Sequence, residues 1–295
     1  MQLTILEYFT YYGLKFFSFI IRLFPRKITI FFGKVLGLMI YRIIPIRKNV
    51  AKQNLKIAFP DKCEFEINQI LLKSYKHFGM ILMDLFQTQN FNKNNIQNIV
   101  DINLSDLKLL TQDTGSIVIT GHIGSWEMIL PIFGINRIPF SVVVQFQKNK
   151  GVQKFFNEVR QFHGSKTIFK GTGSKVLLNE IQNGRNLGLA SDQNAGKRGL
   201  MVPFFGKKAS IPKGAAVFKI KSKASIFFCY CIVSKGRKYK LFVKKIENNF
   251  EQIESKNRVK EICELISLDL ENIIRKYPEQ YFWFHRKWPK KIYTK

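Results

Sequence analysis

The spacing of apolar residues along the chain changes near residue 100. Up to that point apolar positions recur at helical spacing, as in Ile67, Ile70 and Leu71 followed by Phe78 and Leu82. Prolines interrupt the periodic stretches, which is typical of the ends of helices. The pattern predicts helices over residues 1–24, 28–43, 49–60 and 61–88.

Beyond residue 100, short apolar runs alternate with amphipathic helical patterns. Strands are predicted at residues 116–120, 141–145, 186–190, 227–233 and 240–246, the last two as a hairpin around Gly236. Helices are predicted at residues 152–162, 174–183 and 256–276. This alternation predicts an α/β fold with a mixed, mostly parallel sheet flanked by helices, in which ligands bind beyond the carboxyl ends of the strands.

The N-terminal segment differs from the rest of the chain in charge and aromatic content. Ten basic residues and one acid, Glu7, fall in the first 60 residues, between aromatic runs such as FFSFII. No uninterrupted apolar run reaches the roughly 18 residues of a membrane-spanning helix. We predict that residues 1–48 form membrane-associated helices, either lying in the interface or making one marginal span, and that residues 49–295 form a single domain, helical to about residue 100. The alternative for residues 1–48 is ordinary core helices.

The net charge of the chain is +28, from 48 basic and 20 acidic residues. A charge of this size predicts an anionic partner: nucleic acid, anionic lipid or an acidic protein. No helix-turn-helix, zinc-finger or RNP motif is present, and the N-terminal basic residues are interleaved with apolar runs. We therefore expect an anionic membrane surface rather than nucleic acid.

His122 and Glu127 follow the predicted strand 116–120, within the sequence GHIGSWE. A neutral imidazole can take a proton from an alcohol near neutral pH, and a carboxylate on its other nitrogen fixes the tautomer. The spacing predicts that Glu127 supplies that carboxylate. The alternative is a histidine packed at a strand end beside a solvated glutamate. Because no G-x-S-x-G motif occurs, we expect His122 to activate an acceptor directly, without an acyl-enzyme.

Four blocks of the sequence, in order, resemble one family. GHIGSWEM at residues 121–128 is similar to the H-x-x-x-x-D/E motif of glycerolipid-type acyltransferases. NLKIAFP at 54–60, the D-Q … PFFG … G-A block at 191–216 and PEQYFWFHRKWP at 278–289 resemble those of the late acyltransferases of lipid A biosynthesis, the lauroyl and myristoyl transferases. The resemblance covers almost the whole chain and implies a glycerolipid-acyltransferase-like fold.

The resemblance implies transfer of a fatty acyl chain from an acyl-carrier-protein thioester to a hydroxyl of a phosphorylated glycolipid, the lipid A precursor. It implies no cofactor and no metal, and a location on the cytoplasmic face of the bacterial inner membrane, anchored by the N-terminal segment. A different phospholipid or glycolipid acceptor, with acyl-CoA as donor, is the alternative. By the same resemblance His122 is the general base and Glu127 its orienting partner.

Other residues take supporting roles through this resemblance. Arg160 is similar to an arginine that the family places near the site, where it could pair with a lipid phosphate or the oxyanion. The alternative is that Arg160 has no such role and only flanks a buried helical face. Asp192 matches the D-Q position, where it holds the catalytic turn or simply ends a strand. Backbone amides from Gly121 to Ser125 are the expected oxyanion donors.

Two further segments have open alternatives. Residues 196–223 contain eight basic residues and no acid, typical of a solvated face or of a docking surface for lipid phosphates or the acidic carrier protein. The aromatic run Tyr281–Trp288 is predicted either as a membrane-interface belt or as a core strand.

Overall fold

A computed structural model describes residues 3–111, 114–234, 238–247 and 250–293, and its elements follow the predicted change near residue 100. The helices are α1 (Ile5–Leu23), α2 (Arg26–Arg42), α3 (Lys48–Ala58), α4 (Glu64–Gln87), α5 (Ile96–Ile99), α6 (Leu104–Leu109), α7 (Ile129–Ile135), α8 (Lys150–Gln161), α9 (Ser174–Gln182), α10 (Gly214–Ser222) and α11 (Ser255–Lys276). The strands are β1 (Val100–Asp101), β2 (Ser116–Thr120), β3 (Phe140–Val144), β4 (Lys166–Phe169), β5 (Asn186–Ala190), β6 (Leu200–Phe204), β7 (Lys207–Ile211), β8 (Ser225–Val233) and β9 (Tyr239–Lys245).

Seven strands form one sheet in the order β1-β9-β8-β2-β5-β3-β4. Each neighbouring pair is parallel except β8 and β9, which are antiparallel. The middle of the central strand β2 is apolar because helices cover both faces of the sheet, and Ile117, Val118 and Ile119 have no exposed surface. The predicted mixed, mostly parallel α/β sheet is therefore confirmed.

The structure also contains elements that the periodicity does not predict. Strands β6 and β7 form a separate antiparallel pair within the stretch identified as basic. Lys207 and Lys208 at the start of β7 are exposed, while Val202, Phe204 and Ile211 are fully buried. The hairpin is therefore half-buried although it lies in a basic stretch of the sequence. Gly236, the predicted turn between β8 and β9, lies outside the described residues.

Helices α1 and α2 pack closely against the rest of the chain. A side chain on Gly79 of α4 would place its Cβ 2.0 Å from the carbonyl oxygen of Gly33 of α2. The close contact between these two helices therefore requires glycine at both positions. The guanidinium of Arg26 donates two hydrogen bonds, of 2.9 and 2.8 Å, to the buried carboxylate of Asp84. On α1, the Tyr11 hydroxyl donates to Glu158 of α8 at 2.6 Å.

The outer faces of α1 and α2 are apolar and exposed. Within the part of the chain that the structure describes, none of the helices combines the length and hydropathy needed to cross a bilayer. The exposed large apolar side chains on these faces include Ile5, Leu6, Phe9, Tyr12, Phe16, Phe19, Leu23, Phe31, Phe32 and Met39. Many exposed large apolar side chains on two successive helices are typical of an interaction surface.

The C-terminal aromatic run is part of the core, so its interpretation as a membrane-interface belt is wrong. Trp283 and Trp288 are each 1% exposed and Tyr281 is 4% exposed. The run is not a regular strand; instead, Tyr281 forms an isolated bridge with Ile123 in the turn after β2. Its burial against that turn brings the C-terminus to the predicted site.

Candidate active site

Two parallel strands place His122 and Asp192 side by side. Strands β2 and β5 are neighbours, with Thr120 opposite Ala190, and each candidate residue follows two positions later. The His122 Nδ1 lies 2.8 Å from Asp192 Oδ1. The sheet register therefore joins residues that are far apart in sequence, at the carboxyl edge where α/β sheets bind ligands.

Asp192 is buried and ionised. Its residue is 2% exposed, and besides the ring of His122, the backbone N–H of His122 and the hydroxyl of Tyr281 lie near its carboxylate. Burial raises the pKa of Asp192, but the charge and hydrogen bonds of His122 outweigh burial and lower that pKa to about 2. A fixed negative charge thus stands behind the histidine.

His122 has the geometry of a general base. Burial lowers its pKa, yet the Asp192 carboxylate more than offsets burial and raises the pKa above 6.5. When Nδ1–H donates to Asp192, Nε2 carries the lone pair, and the side-chain nitrogen of Gln193 lies 3.3 Å from it. The rings of Trp126 and Phe282 flank the imidazole, with centroids 4.9 and 6.1 Å away.

Glu127 does not make the contact that its spacing predicts. Residues Trp126–Met128 form a 3-10 turn that directs Glu127 toward α8. There its carboxylate accepts hydrogen bonds of 3.0 and 2.6 Å from the guanidinium of Arg160. The carboxylate on Nδ1 of His122 is Asp192 instead, and Glu127 acts on the imidazole only through space. Arg160 lies beside the site, as expected, and is the partner of Glu127.

The backbone of the predicted oxyanion segment is largely committed elsewhere. The N–H of Gly124 donates to the carbonyl of Gln280 at 2.8 Å, and that of Ser125 to the carbonyl of Cys231 at 2.7 Å. A Cβ at Gly121 would meet Leu270 at 2.7 Å and the Asp192 side chain at 3.3 Å. The amides of Gly124 and Ser125 therefore hold the turn rather than face a substrate.

The same turn is clamped by buried side chains. Gly124 has a φ of 60°, and its carbonyl accepts a 3.1 Å hydrogen bond from Nε2 of His77, whose pKa burial lowers to about 4. The Ser125 hydroxyl lies near the phenol oxygen of Tyr239, and that phenol donates to Asp84 at 2.5 Å. Ser125 thus supports the turn, next to the buried group formed by Tyr239, Asp84 and Arg26.

An apolar groove of about 400 Å³ runs beside the aromatic rings. Its lining residues come from α2, the segment between α2 and α3, α4 and the C-terminal run: Leu36, Ile40, Ile46, Arg47, Tyr75, Phe78, Gly79, Leu82, Phe282 and Phe284. Phe282, which packs near the His122 ring, forms the end next to the site. Among the described residues, no group of histidine, cysteine, aspartate or glutamate is arranged to hold a metal ion.

Three residues at the site were missed by the sequence reasoning. Gln193 follows Asp192 directly in the D-Q block, which was a usable signal. Tyr281 and Lys287 lie in the aromatic run, whose composition predicts only a membrane-interface belt or a core strand. The usable signal there was a lysine inside an aromatic run, because a lysine that becomes buried with such a run needs a partner.

Comparison with known proteins agrees with this architecture. The family model for bacterial lipid A biosynthesis acyltransferase matches residues 1–290, so the chain is an O-acyltransferase of the lipid A type. The chain belongs to the bacterial lipid A biosynthesis acyltransferase family.

Curated relatives point the same way. The lipid A biosynthesis palmitoleoyltransferase of Escherichia coli is 21% identical over 272 residues, covering 89% of this chain and 85% of the relative. The lipid A biosynthesis acyltransferase of Shigella flexneri matches with the same identity and coverage. The phosphatidylinositol mannoside acyltransferase of Mycolicibacterium smegmatis is 26% identical over 121 residues, 40% of each chain.

Proposed function

We propose that this enzyme transfers a fatty acyl chain from a thioester donor to a hydroxyl of a lipid A precursor, with His122 as general base and Asp192 as its orienting partner. The observation that carries the proposal is the 2.8 Å His122–Asp192 hydrogen bond beside the apolar groove. The role first predicted for Glu127 passes to Asp192, and Glu127 holds Arg160.

The proposed reaction needs one proton acceptor that becomes a proton donor. Nε2 of His122 takes the proton of the acceptor hydroxyl as its oxygen attacks the thioester carbonyl carbon. Asp192 stabilises the imidazolium that forms. The tetrahedral intermediate then collapses, the carbon–sulfur bond breaks, and the departing thiolate takes the proton from His122. An ester and a free thiol result, without an acyl-enzyme.

Arg160 and Gln193 are the proposed stabilisers of negative charge. A guanidinium has five N–H donors, and the hydrogen bonds to Glu127 use two of them. The remaining donors suit a lipid phosphate or the oxyanion of the intermediate. The side-chain nitrogen of Gln193 is close to the reacting nitrogen of His122 and is a second donor.

The apolar groove is the proposed site of the acyl chain. Its volume of about 400 Å³ falls within the range of ligand pockets, and its lining is aliphatic and aromatic. Leu36 and Ile40 of α2 form one wall, so the groove lies next to the exposed apolar helices. A lipid chain can therefore lie between those helices and the catalytic histidine.

The outer faces of α1 and α2 are the proposed contact with the cytoplasmic face of the bacterial inner membrane. Apolar side chains there are exposed, and Lys27, Lys34 and Arg42 occur on α2 in the same segment. Apolar burial and attraction to anionic lipid act together on such helices. The basic residues of 196–223 are the proposed docking surface for acyl carrier protein as donor partner.

The test is acyl transfer by purified enzyme, with a lipid A precursor as acceptor and acyl-carrier-protein or acyl-CoA thioester as donor. His122→Ala should lower kcat by about 10²- to 10⁴-fold, the contribution of a general base. His163→Ala is the matched control, since His163 hydrogen-bonds the Thr88 carbonyl away from the site. Wild-type rates in a folded His122→Ala enzyme would refute the proposed base.

A mannolipid acceptor is the second candidate, because the matched Mycolicibacterium smegmatis relative is named for phosphatidylinositol mannoside. Mass spectra of lipids from a deletion strain separate the two. Loss of one acyl chain from lipid A supports the first acceptor; unchanged lipid A with altered phospholipid or mannolipid supports the second.

A further inference from the structure

Lys287 is a buried lysine with few partners. The residue is 3% exposed, in the middle of the C-terminal aromatic run. Its ammonium donates a hydrogen bond to the backbone carbonyl of Asp192 and lies 4.5 Å from the centroid of the Phe204 ring. The lysine therefore reaches the residue that orients the proposed catalytic base.

Titratable groups from three parts of the chain surround the contact between Lys287 and Asp192. Asp192 lies in the loop after β5 and is the acid that raises the pKa of Lys287. His122, from the turn after β2, and Tyr281 lie beside Asp192, whereas His285 of the aromatic run and Tyr293 beyond it lie near Lys287. Asp192 is the only one of these five that is anionic near neutral pH; the ammonium bonds its backbone carbonyl rather than its carboxylate, so the two charges act on each other through space.

Burial opposes the positive charge on Lys287. Burial lowers the pKa of Lys287 to about 8, although Asp192 raises it in part. Because that pKa lies below the value of an unfolded lysine, the charged form is less favourable in the folded protein than in the unfolded chain. Replacing such a buried charge with an apolar residue of similar volume is often neutral or stabilising. A charged side chain at this buried position therefore calls for a functional explanation.

We propose that Lys287 is a positioning residue for acyl transfer, which fixes the loop carrying Asp192 and offsets the charge of its carboxylate. This inference rests on the proposed function of His122 and Asp192. Lys287 touches neither substrate, and it acts through Asp192.

The charge of Lys287 should lower the pKa of His122. An uncompensated Asp192 carboxylate would favour the imidazolium form of His122, and so leave less neutral base at a given pH. With the Lys287 ammonium beside it, the carboxylate favours the imidazolium less. Removal of the ammonium should thus raise the pKa of His122 and move the acid limb of the rate profile to higher pH.

The test is the pH dependence of kcat/KM for the full-length enzyme and for Lys287→Met and Lys287→Arg. In the Lys287→Met enzyme the acid limb should move up by about 1 pH unit or more, as expected for loss of a nearby charge. Its melting temperature should equal or exceed that of the wild type. Lys287→Arg, which keeps the charge, should return the acid limb to its wild-type position.

Asn54→Ala is the matched control. Asn54 donates to the carbonyls of Trp283 and His285, at 2.6 and 2.8 Å, and so holds the same segment without touching Asp192. This variant should melt earlier and keep the wild-type pH profile. A wild-type profile in folded Lys287→Met would overturn the inference, as would a Lys287→Met protein that fails to fold. Undiminished activity of His122→Ala would instead refute the proposed function itself.

Discussion

Two carboxylates lie close to His122, and the structure holds them in opposite ways. Asp192 is remote in sequence, buried, and hydrogen-bonded to the imidazole. Glu127 is five residues away along the chain, has a side chain that is 18% exposed, and is paired with Arg160. Nearness in sequence therefore does not identify the carboxylate that contacts the histidine.

The different partners of Asp192 and Glu127 indicate what each carboxylate does at the site. The charge of Asp192 is directed at the ring, with Lys287 behind it, so it controls the protonation of His122. The charge of Glu127 is neutralised by a bidentate guanidinium, so it fixes the direction of Arg160. We expect one carboxylate to govern the base and the other to govern a substrate contact.

The largest effect should come from Asp192→Asn. The amide keeps the shape of the side chain, but it can donate to Nδ1 and so favours the tautomer with the proton on Nε2. The analogous change in a serine protease lowers kcat by about 10⁴-fold, and we expect a loss of at least about 10³-fold here. Transfer rates and melting curves measured together check this; a loss below tenfold in folded protein would contradict it.

A smaller effect is expected from Glu127→Gln. The neutral amide weakens a charge-assisted hydrogen bond, worth about 1.5–3 kcal/mol, which corresponds to about 10- to 100-fold in kcat/KM. The loss should appear as a higher KM for the phosphorylated acceptor. Glu158→Gln, at the other acidic position of the α8 region, pairs with Tyr11 and Lys15 and should change the rate little.

Arg160→Lys tests the Glu127–Arg160 ion pair by changing the arginine instead of the glutamate. A lysine keeps the charge but cannot donate in the bidentate geometry, so the loss should resemble that of Glu127→Gln. The double variant should lose less than the sum of the two single losses, because both disrupt one interaction. Additive losses in steady-state kinetics would show that the two residues act separately.

The smallest effect on chemistry should follow a change in the groove. Ile40→Trp narrows the proposed acyl site, and neither Asp192 nor Glu127 is among the residues that line this groove. We expect kcat/KM for the longest donors to fall at least tenfold, about the value of one or more methylenes, with short donors unaffected. A series of donor chain lengths measures this, and equal losses for all donors would argue against the groove.

Much of this site was predictable from the sequence. The rest depended on which strands are neighbours in the sheet. The run at 117–119 and the strand at 186–190 identified the two buried strands, so the carboxyl edge carrying His122 and Asp192 was correctly located. Which carboxylate contacts the ring depends on β2 and β5 being neighbours, and β5 is not the next strand in the chain. Local spacing carries no information about that adjacency, and it favoured Glu127.

The C-terminal run shows a second limit. An aromatic stretch of Tyr281–Trp288 has the same composition at a membrane interface and in a core, so composition could not decide between them. The bridge of Tyr281 to Ile123 decides it, and that bridge is a contact between segments over 150 residues apart. The roles of Tyr281 and Lys287 became visible only through it.

The pKa of His122, measured by NMR titration in the wild type, Asp192→Asn and Glu127→Gln, tests the central claim most directly because it needs no substrate. The chain has four histidines, and the His122→Ala variant assigns the signal. We predict a wild-type pKa above 6.5, a fall of about 1 unit or more in Asp192→Asn, and a smaller change in Glu127→Gln. A larger shift in Glu127→Gln than in Asp192→Asn would contradict the assignment of Asp192 as the partner of the base.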